Sequence, residues 1–273
     1  VYDPRQQGAL CDQCPLRGAT PVPPELRPGT KAVIVGEAPG ETEEKEGKPF
    51  VGASGIELTR ALQSLGVRRY AVSITNSILC PLPDHKMARL TADLRKLNRR
   101  RASLGDPQLL HPLDCCRPRL LSDLKLAGTR NVIALGGTAL EALGDRSSIM
   151  DVRGGPRELM IDGSMYRVLP TLHPAFVLRA RRWASAFRAD LGRAFRWFSG
   201  NLAWKDPEIL YRPTAAQLAE WLDSHRGRVI YDVETLPGFP EAEHYDPLHD
   251  KLRYLGLADA SGRYAVGIPF LLV

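Results

Sequence analysis

The chain has 273 residues, 44% hydrophobic and 25% charged, which is ordinary globular composition with room for one large domain or two smaller ones. No run of about 18 apolar residues occurs and no basic-then-apolar signal opens the chain, so no membrane span is expected. The net charge of +6 favours an anionic partner.

Cys11-Asp-Gln-Cys14 opens the pattern as a CxxC pair, open to metal ligation, a redox role or chance. The other cysteines are Cys80, Cys115 and Cys116; the odd total of five, without a secretory signal, argues against a disulfide framework. Residues 31–35, KAVIV, predict a buried strand that feeds the turn Gly36-Glu37-Ala38-Pro39-Gly40. A charged loop follows, then Gly47-Lys-Pro-Phe50-Val-Gly52, whose glycines permit close backbone approach to a ligand. Ser54 and Glu57 have capping-box spacing before a helix carrying Leu58, Ala61, Leu62 and Leu65.

Residues 70–75, YAVSIT, predict a second strand ending at Asn76. The long stretch from 81 to 115 contains LRKLNRRR at 94–101, a basic helix that faces either an anionic partner or solvent. Pro118 is placed in the first turn of a helix with Leu120, Leu121 and Leu124. A third strand at 131–135 runs into Gly136-Gly137 and a short helix; a fourth at 166–172 ends at His173-Pro174. Trp183, Phe187, Leu191, Ala194 and Phe198 then mark a helix whose aromatics face a core. Arginines crowd residues 179–196, where Asp190 is the one acid.

Strands alternating with helices predict an α/β sandwich of three layers with a mostly parallel central sheet. Such sheets bind ligands beyond the carboxyl ends of their strands, so Glu37, Asn76 and His173 are expected to meet in one crevice. Residues 200–213 are polar with two prolines and read as a linker after a domain at 1–199. From 214 to 273 a Thr214-capped helix and strands at 228–233, 252–258 and 263–268 predict the start of a second, incomplete α/β domain. The chain opens on Val1 and stops at Val273 inside a predicted strand, so it reads as a piece of something longer.

The GEAPG turn, the GKPFVG loop, Thr75-Asn76 before Cys80, LHPAFVLR at 172–179 and the CxxC occur in a fixed order. Together they resemble the family 4 uracil-DNA glycosylases, which carry an iron–sulfur cluster; the match covers roughly residues 9 to 198. The resemblance implies an enzyme that flips uracil out of DNA and hydrolyses its N-glycosidic bond, leaving an abasic site. It implies that Gly36, Ala38, Glu43, Phe50 and Asn76 form the uracil pocket. Phe50 would stack on the base, Asn76 would pair with its edge, and Glu43 would crowd C5 against thymine. His173 would donate to uracil O2 and Glu37 would position water. Phe176 and Leu178 would wedge into the vacated stack, with Arg179, Arg181 and Arg182 on phosphates. Cys11, Cys14, Cys80 and Cys116 would hold a [4Fe–4S] cluster, or alternatively zinc, leaving Cys115 spare.

Val229-Ile-Tyr-Asp232-Val-Glu234 and the segment after it resemble the first motif and next hairpin of a DnaQ-like 3′–5′ exonuclease. Asp232 and Glu234 would be half of a two-metal site whose remaining carboxylates lie outside this sequence. Such a pairing of domains resembles certain phage DNA polymerases. The implied partners are uracil-containing DNA and a polymerase domain in the same chain or replication proteins, with no membrane. The implied location is the cytoplasm of a bacterium or a phage-infected host. Two rivals stay open: a non-catalytic uracil-binding module of a polymerase, and a nucleotide-binding α/β protein with a zinc site.

Overall fold

The structure is a computed structural model that describes residues 2–201, 208–225, 227, 229–236, 251–259 and 264–269. It divides into two units, Val1–Ala203 and Trp204–Val273.

In the first unit the order is β1 (Val33–Gly36), α1 (Glu41–Glu46), α2 (Ala53–Ser64), β2 (Ser73–Asn76), α3 (Met87–Ser103), α4 (Pro112–Leu126) and β3 (Asn131–Leu135). Then come α5 (Gly137–Ala142), α6 (Ile149–Val152), β4 (Arg157–Ile161), β5 (Ser164–Thr171), α7 (Pro174–Arg179) and α8 (Ala184–Phe198). The sheet order is β2-β1-β3-β5-β4, parallel except for the antiparallel edge strand β4. Side chains alternate across this sheet. Val33, Val35, Val132 and Ala134 pack with Leu120, Leu124 and Leu140 of α4 and α5. Ile34, Ile133 and Leu135 pack on the other side with Leu58, Leu62, Phe187 and Leu191 of α2 and α8. Helix–sheet–helix makes three layers.

The chain leaves β1 for β2 on one side, while β3 lies on β1's other flank, so the carboxyl ends of β1 and β3 mark a topological switch point. Gly36 and Leu135 end there, and Asn76 ends the neighbouring β2.

Several local expectations are corrected. The charged loop is helical: α1 ends on Gly47, whose φ of 63° is the left-handed cap that glycine adopts freely. Ser54 is not the cap of α2; Gly52 holds that position without a side-chain bond. Glu57, the other half of the expected box, accepts from Arg181 Nη1 at 2.9 Å instead. Pro118 lies inside α4, because Pro112 already starts that helix with His111 Nδ1 accepting from Leu113 N. The second strand begins at Ser73, after a 3-10 turn at Arg69–Ala71. The strand β4 was not foreseen: its pattern alternates, but its exposed face carries Met160.

The second unit runs β6 (Glu208–Tyr211), α9 (Ala215–Ser224), β7 (Val229–Leu236), β8 (Lys251–Asp259) and β9 (Tyr264–Pro269), and its strands form a sheet in the order β6-β9-β8-β7. Residues 208–211, read as linker, are thus a strand paired in parallel with β9. Thr214 and Gln217 do form a capping box for α9.

Candidate active site

Loops at the carboxyl ends of β1, β2 and β5, together with α1 and the first turn of α3, enclose a cavity of about 680 Å³. Glu37, Ala38, Glu43, Phe50, Asn76 and His173 all line it. Six residues chosen from separated motifs therefore share one wall. Gly36, also expected in the pocket, does not line the cavity but lies directly behind two residues that do: a Cβ there would strike Asn76 Oδ1 and the edge of the Phe50 ring. Glycine is needed here for space.

Phe50 is held in an unusual backbone state, with φ of 52° in the left-handed region that costs a non-glycine residue about 1–3 kcal/mol. Its surroundings determine it. Arg69 donates from Nη1 to Phe50 O at 2.7 Å and from Nη2 to Pro49 O at 2.6 Å. Glu43 Oε1 accepts from Val51 N at 3.0 Å and Gly52 N at 2.8 Å, placing an anion at the start of α2. A Cβ at Gly55 would overlap the Phe50 carbonyl, so that glycine lets α2 lie against the turn. The result presents the Phe50 ring to the cavity, 5.9 Å from the His173 ring centroid. Glu43 thus ties down the turn with one oxygen while lining the pocket.

His173 caps α7: its Nδ1 accepts from Ala175 N at 3.1 Å. A ring that accepts at Nδ1 carries its proton on Nε2. That Nε2 is buried and has no partner among the described residues. Burial, then the nearby Arg179 charge, hold the imidazole down to about 4 from an ordinary 6.5, with Glu43 opposing. The ring is neutral at pH 7 and offers one N–H. Asn76 Oδ1 is likewise buried without a partner. Its backbone is fixed from below: Arg119 Nη2 donates to Asn76 O at 2.8 Å and to Ser77 O at 2.9 Å. Arg119 is itself fully buried and paired with Asp123 at 2.6 Å. Glu37 accepts from Thr138 Oγ1 at 2.6 Å across the switch point, which fixes its carboxylate.

A cavity with one aromatic wall, a buried neutral N–H donor, a buried amide oxygen and a tethered carboxylate fits a flat heterocycle with alternating acceptors and donors. The model of the uracil DNA glycosylase superfamily matches residues 23–197. The type-4 uracil-DNA glycosylase of Pyrobaculum aerophilum is 36% identical over 189 residues, 68% of this chain and 88% of that protein. That of Thermotoga maritima is 34% identical over 175 residues, 63% of this chain and 79% of that protein. That of Sulfurisphaera tokodaii is 33% identical over 177 residues, 64% and 74%.

The chain belongs to the type-4 family of the uracil-DNA glycosylase superfamily. It is a DNA glycosylase, a hydrolase of N-glycosidic bonds. Among the described residues no helix is long and apolar enough to cross a membrane.

The glycosylase unit places its expected DNA-facing residues unevenly. Phe176 is half-buried against Trp183, ring centroids 6.5 Å apart, and belongs to the core on the α2 and α8 side. Leu178 is half-buried, while Arg182 is exposed. Arg181 is exposed but bound to buried Glu57, so its guanidinium already has a carboxylate partner. Arg179 lines the cavity itself and acts on His173.

A second cavity, of about 610 Å³, is lined by Cys11, Cys14, Cys80, Cys115 and Cys116. Burial, and then the charges of Cys116 and Cys14, push the Cys11 thiol up; the same causes push Cys80 up to about 12. Cys115 donates to Cys14, which holds Cys14 down to about 7 and pushes Cys115 up. Cys115 and Cys116 lie in the second turn of α4, later in the helix than expected because Pro112 starts it. Among the described residues no three or more His, Cys, Asp or Glu side chains sit close enough to hold a single metal ion. In the second unit Asp232 and Glu234 lie on β7 in register with Gly256 and Tyr254 of β8, and their side chains fall outside the described residues.

Thr138, Arg69 and Arg119 escaped sequence reading. Each acts on a partner between 19 and 101 positions away. Thr138 carries the one usable signal, since it opens the helix after a strand-ending glycine pair.

Proposed function

We propose that this cavity takes a uracil rotated out of DNA and that the residues around it divide the work of hydrolysis. The single observation carrying this reading is the pair of unpartnered buried atoms, Asn76 Oδ1 and His173 Nε2, beside the Phe50 ring. Uracil presents an N3–H flanked by two carbonyl oxygens. Asn76 Oδ1 accepts from N3–H, its amide N–H donates to O4, and His173 Nε2–H donates to O2. The Phe50 ring stacks on the base face, and Glu43 fills the space beside C5, where thymine carries a methyl group. In hydrolysis the C1′–N1 bond breaks with its electron pair going to uracil. The oxygen of water bonds to C1′ and a water proton is released. A preformed neutral donor at O2 stabilises the departing anion without first losing a proton. Glu37, fixed by Thr138, orients the water. Extruding the base costs a few kcal/mol, offset by stacking and pairing in the pocket.

Cys11, Cys14, Cys80 and Cys116 are the residues that would hold a [4Fe–4S] cluster, with Cys115 donating to Cys14 from outside the set. One observation supports this: the thiols line a common cavity of about 610 Å³. Zinc stays the alternative for a four-thiolate set. When bound, the cluster serves as a structural crosslink that joins the N-terminal tail to α4 and the end of β2.

The remaining parts of the reading concern context. The DNA-facing surface comprises α7 with Leu178, Arg179 and Arg182. Residues 1–199 act as the glycosylase domain, and the second unit begins an exonuclease-like domain that leads to a DNA polymerase in the same chain. The antiparallel run β7-β8-β9, with Asp232 and Glu234 on its first strand, supports that assignment. The same reading puts the protein in the cytoplasm of a bacterial cell or phage-infected host.

The test is single-turnover release of uracil from an oligonucleotide, with the visible absorbance of the purified protein recorded alongside. Abasic product and broad iron–sulfur absorbance are expected. Tight binding without product would leave a uracil reader in place of an enzyme mechanism.

A further inference from the structure

The base cavity does not stand alone. It shares Met87 with a second cavity of about 520 Å³, and that one shares Thr91 and His111 with a third of about 650 Å³. The three follow the flank of α3. The second is lined by Arg117 and Arg146 together with Asp114 and Glu141, and Glu141 is paired with Arg146 at 3.4 Å. The third is lined by Arg95, Arg99 and His111, with Asn98 and Gln108 and no carboxylate. Helix α3 anchors itself through buried Leu90 and Leu94. Its opposite side carries Arg95, Lys96, Arg99 and Arg100, all exposed. Arg89 is paired with Asp93 at 2.9 Å, but among the described residues none of those four is in an ion pair. A merely solvated helix would mix both signs along this face. Residues 94–101 contain no acid.

The helix also points the right way. Ala88 lines the base cavity, and positions 88, 92, 95 and 99 succeed one another along one side at helical spacing. From 88 to 99 the axis rises about 16 Å, which spans about five phosphates of one strand of duplex at 3.4 Å each.

The geometry points to a phosphate track: the groove from the base cavity to Arg95, Arg99 and His111 holds the sugar–phosphate backbone of DNA flanking the uracil. This rests on the reading that the cavity takes the everted base. Arg95 and Arg99 neutralise phosphates and Gln108 donates a hydrogen bond to them, while Asn98 holds the wall of the groove by donating from Nδ2 to Leu109 O at 2.8 Å and accepting from Leu109 N at 2.9 Å; none of these residues reads sequence.

The experiment compares the full chain with R95Q/R99Q and with R188Q, an equally exposed arginine on α8. Binding to a labelled duplex is followed by fluorescence anisotropy across a salt series. The double variant is expected to flatten the slope of log K against log salt by about 1.8, at about 0.9 per phosphate contact. R188Q is expected to leave the slope where it was. Uracil release from an oligonucleotide too short to reach the third cavity should be equal in all three proteins, while release from the long duplex at subsaturating DNA should fall several-fold in the double variant alone. An unchanged slope, an equal fall in R188Q, or an equal loss on short and long DNA would overturn the track. Failure of the wild type to release uracil would count against the mechanism proposed above, and the salt slope would still decide the track.

Discussion

On the proposed mechanism, replacing His173 with alanine removes the one N–H that meets the departing base. The ring is neutral because burial and Arg179 hold it down to about 4, and its tautomer is fixed because Nδ1 accepts from Ala175 N. Losing a preorganised donor of this kind costs about 10²–10³ in rate, or about 2.7–4 kcal/mol. The lost cap on α7 costs about a further 1 kcal/mol of stability, too little to unfold the unit. Single-turnover excision at saturating DNA should therefore fall about 10²–10³-fold while DNA affinity changes little, and H173Q, which keeps an N–H, should recover part of the loss.

The pH dependence follows from the same facts. In the unfolded chain the imidazole takes up its proton near 6.5, in the folded chain near 4. Between those values the unfolded state binds more protons, so stability falls as pH falls. The loss is about 3 kcal/mol across the window, at about 1.4 kcal/mol per tenfold change in proton affinity. H173Q should remove that acid-side loss in denaturant titrations. The excision rate of the wild type should show no rise as pH drops through 6.5. A rate that increases there would mean the imidazolium is the donor and would refute the reasoning, as would a loss below about tenfold in H173A.

G36A should abolish excision with the fold retained, since its methyl group meets Asn76 Oδ1 and the Phe50 ring; circular dichroism and the uracil-release assay check both halves. T138V should lower the single-turnover rate about tenfold with unchanged DNA affinity, because it frees the Glu37 carboxylate, and a conservative T138S should restore it. R69M should lower thermal stability by about 1–3 kcal/mol through two unpaired carbonyls at Pro49 and Phe50, and should raise KM for uracil DNA more than it lowers kcat. C80S should lose the broad visible absorbance and the iron content of the purified protein, whereas C115S should keep both with altered sensitivity to oxidation.

Much of the site was legible because its signals are local. Apolar β-branched runs end in glycine or a polar residue at Gly36, Asn76 and His173, and the rule for parallel sheets then brings those ends together. Phe50 could be picked out because glycines bracket it. What holds these residues was not legible. Arg69, Thr138 and Arg119 look like ordinary polar residues in sequence, and only the folded chain supplies their partners. Helix starts misled where two signals competed. Pro112 and Pro118 are both plausible first-turn prolines, and the His111 cap decides for the former. Ser54 and Glu57 have the right spacing, yet Glu57 is engaged by Arg181. Charge density around Arg181 is visible in sequence in the same way, but its bond to Glu57 is not.

Helix α4 contributes two things on neighbouring turns: the thiols of Cys115 and Cys116, and the guanidinium of Arg119 beneath Asn76. Arg119 and Asp123 are sealed from solvent, so unpairing either costs about 3–5 kcal/mol and the pair moves with its helix or not at all. The sulfur corner and Asn76 are therefore mounted on one rigid beam. If the thiols hold a crosslink and Asn76 reads the base, as proposed above, stripping the crosslink should tilt that beam and end uracil recognition before the protein unravels.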